Sequence, residues 1–216
     1  YGYMLVWVIV ASNLMAMLLA RDSWCAAHHP GHLIKHQGLP ADAAKWRVLT
    51  SRLSHFSIQK SMAILGLGYD AVIPVAYDDH YRMDSVQLEQ EIQRCHEQGL
   101  IPIAVVATSG TTDFGSIDPL ESIAKLCQQH GIWMHVDAAY GGAALFAPSA
   151  RDRFAGIEQA DSLVIDPHKW LFAPYDSAAL LYREPHLAKA VHTQEASYLD
   201  VLHTPDAAWN AGDYAF

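Results

Sequence analysis

Apolar and polar positions alternate along this chain in a way that predicts strands separated by helices. Short continuous apolar runs predict buried strands, and apolar residues spaced three or four positions apart predict helices. The strands predicted in this way are Leu5–Val10, Trp46–Thr50, Ala71–Ala76, Ile101–Ala107, Ile132–Val136, Ser162–Ile165 and Ala178–Tyr182. The predicted helices are Leu14–Trp24, His55–Leu67, a segment that Asp84 caps and that runs to about Gln98, Pro119–His130 and Glu184–Val191.

The order of these elements predicts the α/β class, with a mostly parallel central sheet flanked by helices. The β-branched run Ile101–Ala107 is typical of a strand that is buried on both faces of such a sheet. Parallel neighbours require right-handed crossovers, and ligands bind at the carboxyl ends of the strands. The segment Ala27–Ala43 is rich in histidine, glycine and proline, and we predict that it is a loop.

Residues 1–20 contain no charged side chain, and a helix of that length could cross a bilayer. Ser12 and Asn13 interrupt the apolar run, however, and no basic residue precedes it. We therefore expect no membrane association, but a buried strand, Leu5–Val10, followed by a helix that Ser12 or Asn13 caps. A non-catalytic protein anchored in a membrane through residues 1–20 is the alternative.

Composition narrows the class of protein further. Of the 216 residues, 51% are apolar and 17% are charged, so the chain can form a sizeable core. The formal net charge of −9 argues against a general nucleic-acid binder, which needs a basic face. Three widely separated cysteines predict neither a disulfide framework nor a paired-cysteine zinc site, and they indicate a cytoplasmic protein. Because the chain begins at Tyr1 and stops at Phe216 without a recognisable terminus, we expect a piece of a longer protein.

Polar residues follow three of the predicted strands at the point where each strand ends. The three polar segments are Thr108–Gly115, His135–Gly142 and Asp166–Trp170. Because the carboxyl ends of parallel strands meet at one edge of a sheet, we expect these segments to lie together and to form a binding site.

Two ionisable residues in these segments suggest a particular chemistry. Lys169 precedes the apolar sequence Trp-Leu-Phe-Ala-Pro, and apolar surroundings disfavour the charged form of an amine. Lys169 is therefore a candidate nucleophile for Schiff-base formation, with a solvated surface lysine as the alternative. Asp137 ends a buried strand and needs a cation or hydrogen-bond donors there. The pyridine nitrogen of pyridoxal phosphate (PLP) is one such partner.

Two strings around these residues, HVDAAYGG (135–142) and DPHKWLFAPYD (166–176), closely resemble the group II PLP-dependent amino-acid decarboxylases. That family includes aromatic-L-amino-acid, glutamate, cysteine-sulfinate and diaminobutyrate decarboxylases. The strings ATSGTTDFGSID (107–118), SHFSIQKSMAILGLG (54–68) and ASNLMAMLLARD (11–22) resemble further family segments in the same order. The resemblance implies a PLP fold-type I (aspartate-aminotransferase-like) large domain. Residues 11–216 would form only part of this large domain. Residues 1–10 would be an atypical apolar segment, and the C-terminal domain would be absent.

The resemblance also implies a role for single residues around the PLP ring. Lys169 would hold PLP as a Schiff base, and Asp137 would pair with the pyridine nitrogen. Ala139 would pack against one face of the ring, and His55 would stack on the other. Thr108 would lie beside the ring and its hydroxyl group.

Four more residues are implicated at the edges of the implied site. His168 and Asp166 would lie near the phosphate, although the family often has Asn at the latter position. Ser12 is the only hydroxyl near the place of the family's phosphate-binding run of small residues, where this chain has the bulky Trp7–Val10. Tyr198 matches a tyrosine of the family's mobile loop, which is thought to protonate the carbanion that remains after carbon dioxide leaves.

The expected reaction is therefore decarboxylation of a small L-amino acid to its amine and carbon dioxide, in a protein that forms a homodimer at full length. Aldehyde synthases of the same scaffold typically have Phe in place of Tyr198, so Tyr favours decarboxylation. A PLP-dependent carbon–carbon lyase or aldehyde synthase is the alternative. We expect the 216 residues alone to be inactive, because family segments that complete the substrate pocket are missing.

Two other sites are less well supported by the sequence. The histidines of HHPGHLIKH (28–36) have a spacing that allows a metal site, but Pro30 and Gly31 break any helix there, so we predict a solvated loop and no metal. The segment Gly110-Thr-Thr112 could suggest a loop that binds a nucleotide phosphate. We do not predict one, because the segment lacks both the Gly-Lys-Ser/Thr ending of a P-loop and the three spaced glycines of a dinucleotide fold.

Overall fold

One sheet of six strands organises the computed structural model, which describes residues 2–174 and 177–192. The strands are β1 (Trp46–Ser51), β2 (Val72–Val75), β3 (Ile101–Thr108), β4 (Trp133–Asp137), β5 (Ser162–Ile165) and β6 (Ala179–Tyr182). Their order in the sheet is β2-β1-β3-β4-β5-β6. The first five are parallel and β6 runs antiparallel to β5, so the predicted α/β class with a mostly parallel sheet is confirmed.

Helices pack on both faces of this sheet. They are α1 (Gly2–His28), α2 (Ile34–Gln37), α3 (Ser57–Ile64), α4 (Ser85–Glu97), α5 (Leu120–His130) and α6 (Pro185–His192). One apolar core lies under α1 and α3, and the other lies under α4 and α5. Neighbouring residues of β3 point into different cores, Val105 into one and Val106 into the other, because side chains alternate along a strand. This explains the uninterrupted apolar sequence of β3.

Two helix ends follow the sequence prediction closely. The Asp84 carboxylate caps α4 by accepting hydrogen bonds from the N–H groups of Val86 and Gln87, at 2.9 and 3.2 Å. Gly131 ends α5 with a φ of 65°, in the left-handed region that favours glycine. Asp84 thus fixes where α4 begins, and Gly131 fixes where the chain leaves α5 for β4.

The predicted strand Leu5–Val10 is wrong, because those residues belong to α1. No glycine or proline interrupts the sequence between Gly2 and Pro30, so the helix continues through the β-branched residues, whose helix penalty is small. Ser12 and Asn13 accordingly lie inside the helix and do not cap it. Within the described residues, no helix has the length and apolar character that crossing a membrane requires.

The predicted loop 27–43 contains α2 and the start of a short 3₁₀ helix, Ala41–Lys45. Three of its histidines make separate contacts. The His28 ring stacks on Trp24 at 4.0 Å, Nε2 of His29 lies 3.2 Å from the Asp42 carboxylate, and His32 contacts the carbonyl of Gly38. Within the described residues, no group of His, Cys, Asp and Glu side chains is arranged to hold a metal ion.

Buried Asp118 ties the end of β3 to the segment that precedes α4. Its two carboxylate oxygens accept hydrogen bonds from the N–H groups of Met83 and Thr108, both at 2.7 Å. Burial raises the pKa of this carboxyl group to about 6, and the two N–H donors oppose that rise. Asp118 therefore holds the backbone at the tip of β3, where the candidate site begins.

Replacing Asp118 with alanine should destabilise the fold by about 2–4 kcal/mol, because two buried N–H groups lose their acceptors. The matched control is Asp84→Ala, which also removes an acceptor of two N–H groups, but at a partly exposed helix end where the cost is about 1 kcal/mol. Unfolding in denaturant, with hydrogen exchange at Thr108 and Met83, measures both effects. Equal effects of the two variants would contradict this prediction.

Candidate active site

The three polar segments meet at the carboxyl ends of β3, β4 and β5, as the sequence predicts. Thr108 pairs with Asp137 in the sheet, and Asp137 pairs with Val164. Backbone hydrogen bonds continue beyond the strands, from the N–H of Ser109 to the carbonyl of Asp137 at 2.8 Å and from that of Asp166 to Ala139 at 3.2 Å. The loops are thus held in a fixed register.

Five residues that the sequence singles out line one small cavity at this edge of the sheet. They are His55, Thr108, Asp137, Ala139 and Lys169. Leu53, Gly110, Thr112 and Tyr140 complete its lining. The volume of the cavity is about 20 Å³, which holds roughly one water molecule.

The amine of Lys169 lies against a buried carboxylate. Its Nζ is 3.1 Å from Oδ2 of Asp166, three residues earlier in the chain, and Asp166 is almost fully buried. Burial raises the pKa of the Asp166 carboxyl group, and the nearby Lys169 ammonium opposes the rise. Asp166 is thus a counter-ion for Lys169 in this structure.

Asp137 is 6% exposed and accepts a hydrogen bond at each oxygen. Oδ1 accepts from the N–H of Ala139 at 3.1 Å, and Oδ2 accepts from Nδ2 of Asn13 at 2.9 Å. These donors stabilise the ionised carboxylate at the wall of the cavity.

His55 lies at the start of the segment that leads into α3. Its Nδ1 is 2.8 Å from the hydroxyl oxygen of Ser57. Burial lowers the pKa of the imidazole; Asp137 raises it and Lys169 lowers it. A neutral imidazole is favoured near pH 7.

Two glycines let the loops after β3 and β4 touch. The N–H of Gly141 donates to the carbonyl of Ser109 at 3.1 Å. A Cβ atom at Gly110 would lie 2.7 Å from the backbone nitrogen of Gly141, and one at Gly141 would collide with the Ser109 carbonyl. Only glycine at both positions permits this approach.

The remaining predicted residues lie outside the cavity lining or outside the described residues. Nδ1 of His168 bonds to the carbonyl of Ser177, and Asp166 contacts Lys169 as above. Ser12 lies inside α1, where backbone N–H groups already bond to the preceding turn, so the predicted helix start for phosphate binding is wrong. Tyr198 falls outside the described residues.

The chemistry of this cavity fits PLP. It offers an amine, a carboxylate and an imidazole, in Lys169, Asp137 and His55. The Thr108 hydroxyl is buried and has no hydrogen-bond partner among the described residues, so a ligand could satisfy it.

The sequence prediction missed Asn13, Ser57 and His135 as site residues. His135 and Asp137 are two positions apart in β4, so their side chains lie on the same face, and this spacing was an available signal. The sequence pattern indicates only a cap role for Asn13. A polar residue in an apolar helix that must be buried would also have indicated a buried partner.

Comparisons with known proteins identify the family of this chain. Residues 9–215 match the family model described as the pyridoxal-dependent decarboxylase conserved domain. An acidic amino acid decarboxylase of Xenopus tropicalis is 42% identical over 189 residues, covering 87% of this chain and 36% of the relative. L-2,4-diaminobutyrate decarboxylase of Rhizobium meliloti (strain 1021) is 49% identical over 162 residues, covering 75% of this chain and 32% of the relative.

A solved structure extends the likeness to three dimensions. The crystal structure of mouse CSAD, cysteine sulfinic acid decarboxylase, has a TM-score of 0.83 and 40% identity, covering 96% of this chain and 41% of its own. The chain thus spans less than half the length of the relatives it matches. The family model, which covers almost every residue, shows that the chain belongs to the pyridoxal-dependent decarboxylase family.

Proposed function

We propose that the whole protein to which this chain belongs is a PLP-dependent decarboxylase that converts an L-amino acid to its amine and carbon dioxide. One observation carries this proposal: Lys169, Asp137, His55, Ala139 and Thr108 line the same cavity at the carboxyl edge of the sheet. A lysine without a role in binding is usually solvated at the surface and does not line a cavity with a buried carboxylate and a half-buried imidazole.

Each of these residues has a distinct task in the proposed site. PLP, when bound, supplies the electron-deficient ring that accepts the electrons left behind by carbon dioxide. Lys169 would hold the cofactor through its amine, and the Asp137 carboxylate would accept a hydrogen bond from the pyridine nitrogen. His55 and Ala139 would bind the faces of the ring, and the Thr108 hydroxyl would bind its edge.

Four residues complete the proposal on sequence grounds. His168, Asp166 and Ser12 are proposed at the phosphate end. Ser12 would offer only its hydroxyl there, because its backbone N–H belongs to α1, and Asp166 would need a paired cation, because a bare carboxylate repels a phosphate dianion. Tyr198 is proposed as the proton donor to the α-carbon of the product.

The substrate class we propose is an L-amino acid with a short charged side chain. The relatives named above are decarboxylases of acidic amino acids, of diaminobutyrate and of cysteine sulfinic acid. These substrates share a compact polar side chain, although its charge differs among them.

We also propose a cytoplasmic homodimer. Large aromatic side chains are exposed beside the cavity, including Trp170, whose ring stacks on Tyr140 at 5.1 Å, and Phe172, which is 84% exposed. A second subunit would cover such a surface. The three cysteines of the chain are free thiols, in keeping with a reducing compartment.

The decisive experiment is product analysis of the whole protein with PLP. Acidic, diamino and aromatic L-amino acids are supplied in turn, and amine with carbon dioxide is expected from the first two groups. An aldehyde with ammonia would favour the aldehyde-synthase alternative. No product from any amino acid, in a protein that is folded and loaded with PLP, would refute the proposal.

Replacing Asp166 with asparagine should accelerate PLP attachment by about tenfold, the effect expected when one hydrogen-bonded ionic contact is lost. An amide cannot form the ion pair that holds Nζ of Lys169 3.1 Å from Asp166, so the amine is freer to reach an aldehyde. Stopped-flow absorbance after PLP is added to the cofactor-free whole protein measures the rate. Asp166→Glu keeps the charge and is the matched control; similar rates in both variants would refute this role of Asp166.

A further inference from the structure

The side-chain amide of Asn13 connects three other elements of the fold. Asn13 is fully buried in α1. Its Nδ2 lies 2.9 Å from Oδ2 of Asp137 in β4 and 2.9 Å from Oγ of Ser57 in α3, and its Oδ1 lies 3.0 Å from Nε2 of His135. All of its hydrogen-bonding atoms therefore have partners.

The direction of each of these hydrogen bonds follows from chemistry. A carboxylate only accepts, so the amide nitrogen must face Asp137, and the amide oxygen must face His135. His135 then carries its proton on Nε2, and its Nδ1 accepts from the hydroxyl of Ser162 at 2.8 Å. The Ser162 oxygen in turn accepts from the indole N–H of Trp133 at 2.9 Å.

Burial favours a neutral His135 in this arrangement. Burial lowers its pKa to about 4, against the opposing effect of Asp137. The unfolded chain, with an ordinary histidine pKa of about 6.5, therefore takes up this proton first as the pH falls. The contribution of His135 to stability is complete above about pH 6.5 and is lost between that value and about pH 4.

The second N–H of Asn13 determines the state of His55. Since the Ser57 oxygen accepts from Asn13, its own O–H is available to donate to Nδ1 of His55 at 2.8 Å. The backbone N–H of Ser57 also points to that nitrogen, at 3.3 Å. Two donors to Nδ1 leave the His55 proton on Nε2 and favour the neutral ring.

We propose that Asn13 is a positioning residue, which orients the Asp137 carboxylate directly and fixes the Nε2–H form of His55 through Ser57. The proposal rests on the proposed function, because it assumes that Asp137 and His55 contact the PLP ring at its nitrogen and at its face. The buried Asn13 amide would then orient both Asp137 and His55 toward the ring. The charged groups acting on His55 are Asp137 and Lys169, and neither contacts its Nδ1.

Packing alone does not explain a polar residue at this position. The buried face of α1 near Asn13 is otherwise apolar, with Ala16, Met17 and Ala20. An apolar side chain would match that face without needing partners, whereas a buried amide is costly unless every polar atom is paired.

The test uses the PLP-free whole protein labelled with ¹⁵N-histidine, and His55→Gln assigns the signals. In the wild type, His55 should carry its proton on Nε2 and titrate below about pH 6.5. Asn13→Leu and Ser57→Ala should each move its titration toward the ordinary value and increase the Nδ1–H form. Ser61→Ala is the control. Ser61 lies one turn further along α3 and is as buried as Ser57, but its hydroxyl has no hydrogen-bond partner among the described residues.

PLP binding gives the second readout. Asn13→Leu should weaken PLP affinity by about tenfold, the loss expected for a hydrogen bond to a charged group, while its circular dichroism stays that of the wild type. Ser57→Ala serves the same purpose if Asn13→Leu does not fold. Ser61→Ala should leave both the affinity and the His55 signals unchanged.

The possible outcomes separate this inference from the proposed function. An Nδ1–H form of His55 in the wild type, or wild-type His55 signals and PLP affinity in both variants, overturns the positioning role of Asn13. Failure of the wild type to bind PLP refutes the proposed function instead, and the His55 signals of the PLP-free protein still decide whether Asn13 orders this site.

Discussion

Replacing Lys169 with alanine is expected to abolish covalent attachment of PLP and to lower decarboxylation by more than about 10³-fold. Lys169 provides the only amine among the residues that line the described cavity, so no other side chain there can take its place. Borohydride reduction followed by peptide mass mapping locates the attachment, and carbon dioxide release measures the rate.

The matched control for this variant is Lys125→Ala. Lys125 is an exposed lysine on α5 whose ammonium pairs with Glu121 one turn earlier, and an ion pair so exposed to solvent contributes little to stability. Its loss should leave PLP attachment and activity unchanged. If Lys169→Ala kept a stoichiometric reducible PLP adduct on a different lysine, that lysine would be the attachment point and the proposed site would be wrong.

Replacing Asp137 with asparagine is expected to lower activity by about 100-fold or more and to weaken PLP binding. The amide lacks the charge that keeps the pyridine nitrogen protonated, and loss of one partner from a buried charged pair costs about 3 kcal/mol or more. The new side-chain amide has only one oxygen. Either the N–H of Ala139 or Nδ2 of Asn13 would therefore face its NH2 group and lose its acceptor. Steady-state rates and PLP titration measure the two effects.

Asp161→Asn is the matched control, which tests whether the loss of activity is specific to the charge at position 137. Asp161 lies at the other end of β4, where its carboxylate accepts from the N–H of Met134 at 2.7 Å. Its replacement should lower stability without a change in PLP affinity. Comparable loss of activity in both variants would mean that Asp137 acts through folding alone.

Much of the fold follows from local sequence because buried parallel strands are continuous apolar runs. Ser162–Ile165 forms β5 with the predicted bounds, and β3 extends the predicted Ile101–Ala107 by one residue. The meeting of the three polar loops follows from the rule that parallel strands end at one edge. These features depend only on neighbours in the sequence and on the handedness of the crossovers.

The rest of the site depends on contacts between distant parts of the chain. Asn13 and Asp137 are separated by 124 positions, and their contact requires one particular face of α1 to meet the tip of β4. No periodicity encodes that meeting. The start of α1 was mispredicted for a related reason, since Val6 and Val8–Val10 have strand propensity that a continuing helix overrides.

The close approach at Gly110 and Gly141 has a consequence for protein engineering. The loops that contain them touch through backbone atoms, so neither loop can be exchanged or lengthened alone without separating the tips of β3 and β4. Recombination between relatives that seeks a new substrate range should therefore transfer residues 108–112 and 138–142 together, as a single cassette.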